Sequence, residues 1–140
     1  MHIINQEEMK YLSFPDYDVE KMEYLPEQKF LKIFVQGGWL ETRENEEPRF
    51  GKGILFFSSW GSLIIRRYDK NLGRNVEEKE LPIDPLKDLC EVIFSDSNAI
   101  LRGHSKKIGY WMEWEMTNVK MHAEFDGYVE DLDWKPKTSR

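Results

Sequence analysis

Short runs in which apolar and polar side chains alternate recur along most of the chain, and this alternation predicts a fold built mainly of β-strands. The run Phe30–Val35 has aliphatic side chains on one face and aromatic or charged side chains on the other, as in a strand covered on both sides. The preceding run Val19–Leu25 predicts a second strand. The segment Pro26–Lys29 supplies a loop through which the two strands pair as a hairpin.

The most regular alternation lies near the C-terminus and predicts a hairpin over Tyr110–Phe125. Its buried face would carry Tyr110, Met112, Trp114, Met116, Val119, Met121, Ala123 and Phe125. A two-residue loop at Thr117–Asn118 would also set Glu113 opposite His122 on the outer face. Because this loop lacks glycine, a longer loop with a shifted register is the alternative.

The remaining elements are shorter. Ile54–Phe57 and Leu63–Ile65 flank a turn and predict another hairpin, in which Gly61 supplies the positive φ of the turn. The polar turn Lys70–Asn75 leads into a charged edge strand over Val76–Leu81. Two more strands and two short helical segments complete the prediction: Cys90–Phe94, Ala99–Gly103, a helix at Gln6–Leu12 and a helical turn at Asp84–Leu89.

These elements predict one β-rich domain over residues 1–140. We expect an antiparallel β-sandwich, or a strongly curved and partly closed barrel, with one or two short helices. Residues 134–140 are polar and basic and predict a frayed tail. The only cysteine, Cys90, stands among apolar side chains. We therefore expect it to be a small buried hydrophobe that forms no disulfide.

Composition narrows the class of protein. The 140 residues include 20 Lys and Arg against 26 Asp and Glu, a formal net charge of −6, which argues against nucleic acid as the main partner. A hydrophobic share of 40% excludes an intrinsically disordered chain. No apolar run approaches the roughly 20 residues that cross a bilayer, and the N-terminus has no signal-peptide pattern. We therefore expect a cytoplasmic protein that does not bind membranes.

No motif in the sequence indicates catalysis, a metal or a cofactor. The three histidines, His2, His104 and His122, are too far apart for a local metal motif, so we expect neither metal nor organic cofactor. Glu113 and Glu115 share a strand face and are the only plausible acids of an enzyme. Such pairs arise on every charged strand face, so we expect no catalytic residues.

Two surfaces are candidates for contact with a partner. Trp39 and Trp60 lie at turns, where we expect them to be exposed anchors, and an acidic loop follows Trp39. The acidic residues of this loop are Glu41, Glu44, Glu46 and Glu47. A separate basic stretch predicts a site for an anion or an acidic protein surface, and consists of Arg102, His104, Lys106 and Lys107.

Two stretches carry a resemblance to a known group of proteins. They are Phe14–Glu20, leading into the strand Phe30–Val35, and the segment from Leu101–Gly103 to Tyr110–Trp114. The chain resembles uncharacterised β-rich domains of small bacterial proteins, some of which are grouped with immunity proteins of polymorphic toxin systems. The usual Phe-His-Asp opening is here Phe14-Pro15-Asp16. The resemblance implies a cytosolic, non-enzymatic protein that binds another protein.

The sequence therefore predicts a non-enzymatic protein-interaction module, whose acidic and aromatic surface suits a basic partner protein. The alternative is a small-ligand-binding β-barrel with an aromatic-lined cavity. A closed barrel with a void of roughly 300 Å³ or more behind the aromatic side chains favours this carrier. A filled core with Trp39 or Trp60 exposed favours the partner binder. The sequence leaves the oligomeric state open.

Overall fold

The computed structural model describes residues 2–15, 17–41 and 49–126, which form thirteen β-strands and two short 3-10 helices. The strands are β1 (His2–Ile4), β2 (Leu12–Ser13), β3 (Val19–Leu25), β4 (Phe30–Val35), β5 (Gly38–Leu40), β6 (Arg49–Phe50), β7 (Gly53–Ser58), β8 (Ser62–Asp69), β9 (Arg74–Glu77), β10 (Glu91–Phe94), β11 (Ala99–His104), β12 (Trp111–Thr117) and β13 (Lys120–Phe125). The helices span Gln6–Tyr11 and Pro26–Gln28. Neither helix is long and apolar enough to cross a membrane.

The strands form two large antiparallel sheets and one small one. The first sheet has the order β1-β13-β7-β4-β3, the second β10-β11-β12-β8-β9, and the small sheet β2-β5-β6. Inward side chains of the two large sheets share one hydrophobic core. Across it, the ring centroids of Phe57 and Phe94 lie 6.2 Å apart. The fold is thus the predicted mainly β sandwich, and among the described residues no strand pairing closes it into a barrel.

Several local predictions are confirmed. Strands β3 and β4 pair as a hairpin through Pro26–Gln28, and Lys29 closes the turn with a φ of 48°. A turn at residues 70–73, shorter than predicted, joins β8 to β9. Strand β9 is an edge strand as expected, but it begins at Arg74 and ends at Glu77 instead of spanning Val76–Leu81. The N-terminal helical segment is a 3-10 helix, whose first turn is capped by the Asn5 side chain.

The predicted hairpin over Tyr110–Phe125 is wrong, although its buried face is right. Strand β12 pairs with β11 and β8 in the second sheet, whereas β13 pairs with β7 and β1 in the first. Asn118 has a φ of 50° and redirects the chain, and Val119 donates a backbone hydrogen bond to Ser97 instead of pairing with Met116. The inward side chains still reach the core, because both sheets face it.

The hairpin predicted around residues 58–62 is wrong for the same reason. Strand β7 belongs to the first sheet and β8 to the second. The positive φ of the turn belongs to Ser59, at 55°, and not to Gly61. Gly61 donates a backbone hydrogen bond of 2.8 Å to Thr117, so the two links that change sheets lie side by side at one end of the sandwich.

The helical turn predicted at Asp84–Leu89 is also wrong. Leu86 and Leu89 are buried, and the backbone between them pairs with neighbouring strands. The Lys87 amide donates to His104, and the Lys87 carbonyl accepts from Val19. Burial of two leucines and pairing on both sides outweigh the local helix signal of Asp84-Pro85.

Candidate functional site

An apolar cleft of about 420 Å³ opens where β3 faces the segment that follows β9. Its walls come from β3, from β12 and from residues 81–85, and they are Met22, Tyr24, Pro26, Leu81, Pro82, Ile83, Pro85 and Trp114. Tyr24 meets the Trp114 ring edge-on, with centroids 5.1 Å apart. Among the described residues, no charged side chain lines this cleft. Its volume falls in the range of small-molecule sites, about 300 to 1,000 Å³.

Trp114 leaves a polar atom unsatisfied beside this cleft. Its side chain is buried, and its indole Nε1 finds no acceptor among the described residues. A buried donor without a partner costs roughly 1 to 3 kcal/mol. Tyr24, which packs edge-on against Trp114, loses hydration on burial, which raises the pKa of its hydroxyl. The cleft is therefore mainly apolar, and the Trp114 Nε1 donor is buried and not exposed to it.

The expected exposure of Trp39 and Trp60 is wrong. Trp39 is 1% exposed, and the Arg49 guanidinium carbon lies 4.6 Å from its ring centroid. Trp60 is 5% exposed and packs against Tyr24, because the turn after β7 folds over the end of the sandwich. Of the acidic loop, Glu41 is exposed and is tied to the fold through a backbone hydrogen bond to Tyr11.

The other acidic residues of that loop, Glu44, Glu46 and Glu47, lie outside the described residues, as does the tail 134–140. Their role in binding stays a prediction.

Charged side chains form a row across the outer face of the second sheet. Arg66 donates to Glu113 at 2.7 Å and to Glu115 at 2.9 Å. Arg102 donates to Glu113 at 2.7 Å and also bonds Glu91. The row follows the strand register, in which Glu91 pairs with Arg102, Arg102 with Glu113, and Glu113 with Arg66.

This row bears on the candidate enzyme acids. Burial of Glu113 opposes its charge, but hydrogen bonds from Arg102 and Arg66 outweigh that effect and hold the pKa of Glu113 below its usual value. A general acid at neutral pH needs the opposite shift. Glu113 and Glu115 are thus arranged as partners of the same arginine.

We predict that Glu113→Gln destabilises the fold by about 1 to 3 kcal/mol at neutral pH, since it removes charge-assisted hydrogen bonds. Because the folded-state pKa is depressed, this stability is present above the unfolded-state pKa near 4.5 and is lost as pH falls through the lower folded-state pKa. Denaturant titrations at several pH values measure the difference. Glu23→Gln, which breaks the exposed pair with Lys21, is the control and should change little. A constant Glu113→Gln difference down to low pH contradicts the prediction.

The predicted basic stretch is not a block of free cations. Arg102 is held by two glutamates, and the His104 ring lies 3.1 Å from an Asp88 carboxylate oxygen. Lys106 and Lys107 are exposed, so an anion site at these two residues stays a prediction. His122 does not face Glu113 as predicted, because it lies on the other sheet and contacts Glu124 at 3.0 Å.

A cluster that the sequence analysis missed lies at the end of β11. Cys90 Sγ lies 3.3 Å from Asp88 Oδ1 and 3.8 Å from His104 Nδ1. The expectation that Cys90 is buried is wrong, because the residue is exposed at the start of an edge strand. No local sequence motif indicates this cluster, because it depends on the strand register. Glu91 pairs with Arg102, so residues before Glu91 run alongside those after Arg102.

The protonation states in this cluster disfavour an activated thiol. Loss of hydration, then the hydrogen bond to Asp88 and its charge, raise the pKa of the Cys90 thiol to about 11. Burial opposes charge on Asp88, but hydrogen bonds from His104 outweigh it and lower the pKa of that carboxyl. Cys90 is therefore not set up as a nucleophile at neutral pH.

Comparison with known proteins adds no relative. No protein family matches the chain, and no curated protein or solved structure is significantly similar to it.

Proposed function

We propose that the chain is a non-enzymatic binding protein whose apolar cleft takes a small, largely apolar ligand. The observation that carries this proposal is the 420 Å³ cleft lined by Tyr24 and Trp114. Apolar clefts of this size that hold a few polar groups are typical ligand sites. Burial of Trp39 and Trp60 weakens the partner-binding prediction, because that prediction expected both side chains to be exposed anchors.

The walls of the cleft indicate the chemistry of the ligand. Two aromatic rings and three prolines, Pro26, Pro82 and Pro85, favour a flat or compact apolar body. The uncharged lining disfavours a ligand with a buried charge. The ligand is carried in an open cleft of a sandwich, and not in the interior of a barrel.

Leu81 offers a test at the mouth of the cleft, because it lines the cleft and is 62% exposed. We predict that N-phenylnaphthylamine, a neutral apolar fluorophore, binds saturably with one probe per chain. Leu81→Lys should weaken this binding about fivefold, which corresponds to about 1 kcal/mol of lost apolar contact. The measurement is a fluorescence titration.

Leu72→Lys is the matched control, since Leu72 is 57% exposed in the turn between β8 and β9 and does not line the cleft. It should bind the probe as the unmodified chain does. Equal loss in both variants, or no saturable binding at all, contradicts the ligand proposal.

A partner protein is the second candidate, and a different observation favours it. Exposed apolar side chains, Leu81 and the 64% exposed Ile108, flank the cleft and its smaller neighbour, which share Pro82 and Ile83. Exposed apolar groups beside a cleft suit a protein interface. The immunity-like role, a basic partner, the cytoplasmic location and the absence of nucleic-acid and membrane binding stay predictions within this second proposal.

The two candidates separate in one comparison. Immobilised wild-type chain, Leu81→Lys and Leu72→Lys are exposed to the same cell extract, and bound proteins are identified by mass spectrometry. A single protein retained in stoichiometric amount by the wild type and Leu72→Lys, but not by Leu81→Lys, supports a protein partner at the cleft. Retention of that protein by all three places its contact elsewhere.

A further inference from the structure

We propose that Asp88, Cys90 and His104 form a binding site for one zinc ion. A carboxylate oxygen, a thiol sulfur and an imidazole nitrogen lie within 4.8 Å of one another, and each can be a zinc ligand. No other group of three such side chains with this spacing occurs in the described ranges. The site is separate from the apolar cleft and does not depend on the proposed ligand.

The distances between the donor atoms fit one metal ion. Metal–ligand bonds of about 2.0 to 2.3 Å in tetrahedral geometry separate the ligand atoms by roughly 3.3 to 3.6 Å. Asp88 Oδ2 lies 3.1 Å from His104 Nδ1, and Cys90 Sγ lies 3.8 Å from the same nitrogen. Cys90 Sγ lies 3.3 Å from the other carboxylate oxygen, Asp88 Oδ1. One carboxylate oxygen, the sulfur and the nitrogen together lie within 4.8 Å of one another. Small side-chain rotations bring all three to a common centre.

Local backbone pairing brings these residues together. Asp88 and Cys90 are two residues apart in an extended segment, where alternate side chains point the same way. The His104 amide donates to Asp88 Oδ1 at 2.8 Å, which fixes the carboxylate beside the histidine. Gly103 permits this approach, because a Cβ there would collide with the Asp88 backbone carbonyl. The hydrogen bond from the His104 amide and the close approach of Gly103 to the Asp88 carbonyl therefore hold Asp88 beside His104.

The same geometry argues against a Cys-His-Asp relay. A relay uses one imidazole nitrogen for the nucleophile and the other for the carboxylate. Here Cys90 and Asp88 both approach Nδ1 of His104. Because both side chains approach His104 Nδ1, the three groups are placed to coordinate one ion together. The ring edge is packed against Trp111, with centroids 5.3 Å apart, which orients the imidazole.

The donor set selects the kind of metal. Sulfur and imidazole nitrogen favour zinc and related transition metals, whereas calcium and magnesium require oxygen ligands. Three protein ligands leave one tetrahedral position for water or an external group. Cys90 is exposed and the His104 side chain is 47% exposed, so an ion can enter from solvent.

Cobalt(II) titration of the tag-free, metal-stripped full chain tests the proposal. We expect one equivalent of cobalt to bind with a thiolate-to-cobalt charge-transfer absorption in the near ultraviolet, and one equivalent of zinc to abolish it. Cys90→Ser should lose the charge-transfer band, because Cys90 is the only cysteine. His104→Gln should weaken zinc binding at least tenfold, measured by competition with a chromophoric chelator.

His122→Gln is the matched control, since it removes an equally exposed histidine from the other sheet and should bind zinc as the wild type does. A readout that needs no variant is protection of the Cys90 thiol from alkylation by stoichiometric zinc. Absence of the charge-transfer band and of protection in the wild type, or equal zinc affinity of His104→Gln and His122→Gln, overturns the proposal.

Discussion

Replacing Trp39 by alanine should lower the free energy of unfolding by about 3 to 5 kcal/mol. Trp39 is one of the largest fully buried side chains of the described residues, although it lies in a three-residue strand beside a turn. Truncation removes its packing and its cation–π contact with Arg49. Urea denaturation followed by circular dichroism measures the loss without relying on tryptophan fluorescence.

Trp111→Ala is the matched control, because Trp111 is 36% exposed and packs mainly against His104. Its loss should cost about 1 kcal/mol or less, as at most surface positions. If Trp39→Ala were no more destabilising than Trp111→Ala, the Trp39 side chain would be accessible to a partner. Trp39 would then again be a candidate contact residue, as expected from the sequence.

Alternation of side chains decides which face of a strand is buried, and that part of the fold could be predicted. Met112, Trp114 and Met116 alternate with Glu113 and Glu115, and the three apolar side chains are buried as expected. A period of two requires only that one face meet a core. It holds whichever strand lies alongside, so the inward faces of both sheets follow from the pattern alone.

The choice of partner strand could not be predicted in the same way. In a sandwich, a strand and its successor satisfy the same pattern whether they pair in one sheet or face each other across the core. Strands β12 and β13, which Thr117–Asn118 connects, face each other across the core. The connection has a positive φ at Asn118 and no glycine. The absence of the glycine that favours two-residue hairpin loops was the sequence feature that argued against a tight hairpin here.

The candidate sites depend on this pairing and were missed for that reason. Cys90 and His104 are 14 residues apart, and only the β10–β11 hairpin brings them to 3.8 Å. The cleft likewise joins Tyr24 of β3 to Trp114 of β12, which are far apart in sequence. Residue type and local spacing identify motifs such as His-x-x-x-His, whereas sites assembled from distant strands require the register.

Trp114→Ala should also cost about 3 to 5 kcal/mol, because this buried ring fills the space between β3 and the second sheet. Trp114→Phe should cost less than half as much. It keeps an aromatic ring against Tyr24, and it removes an indole N–H that has no acceptor among the described residues, so little hydrogen-bond energy is lost. Chemical denaturation of both variants measures the two values. Equal losses in Trp114→Phe and Trp114→Ala would mean that the indole nitrogen is bonded in the folded protein, so that Trp114 Nε1 is not an unsatisfied donor. A loss below about 1 kcal/mol in Trp114→Ala would contradict burial of the side chain altogether.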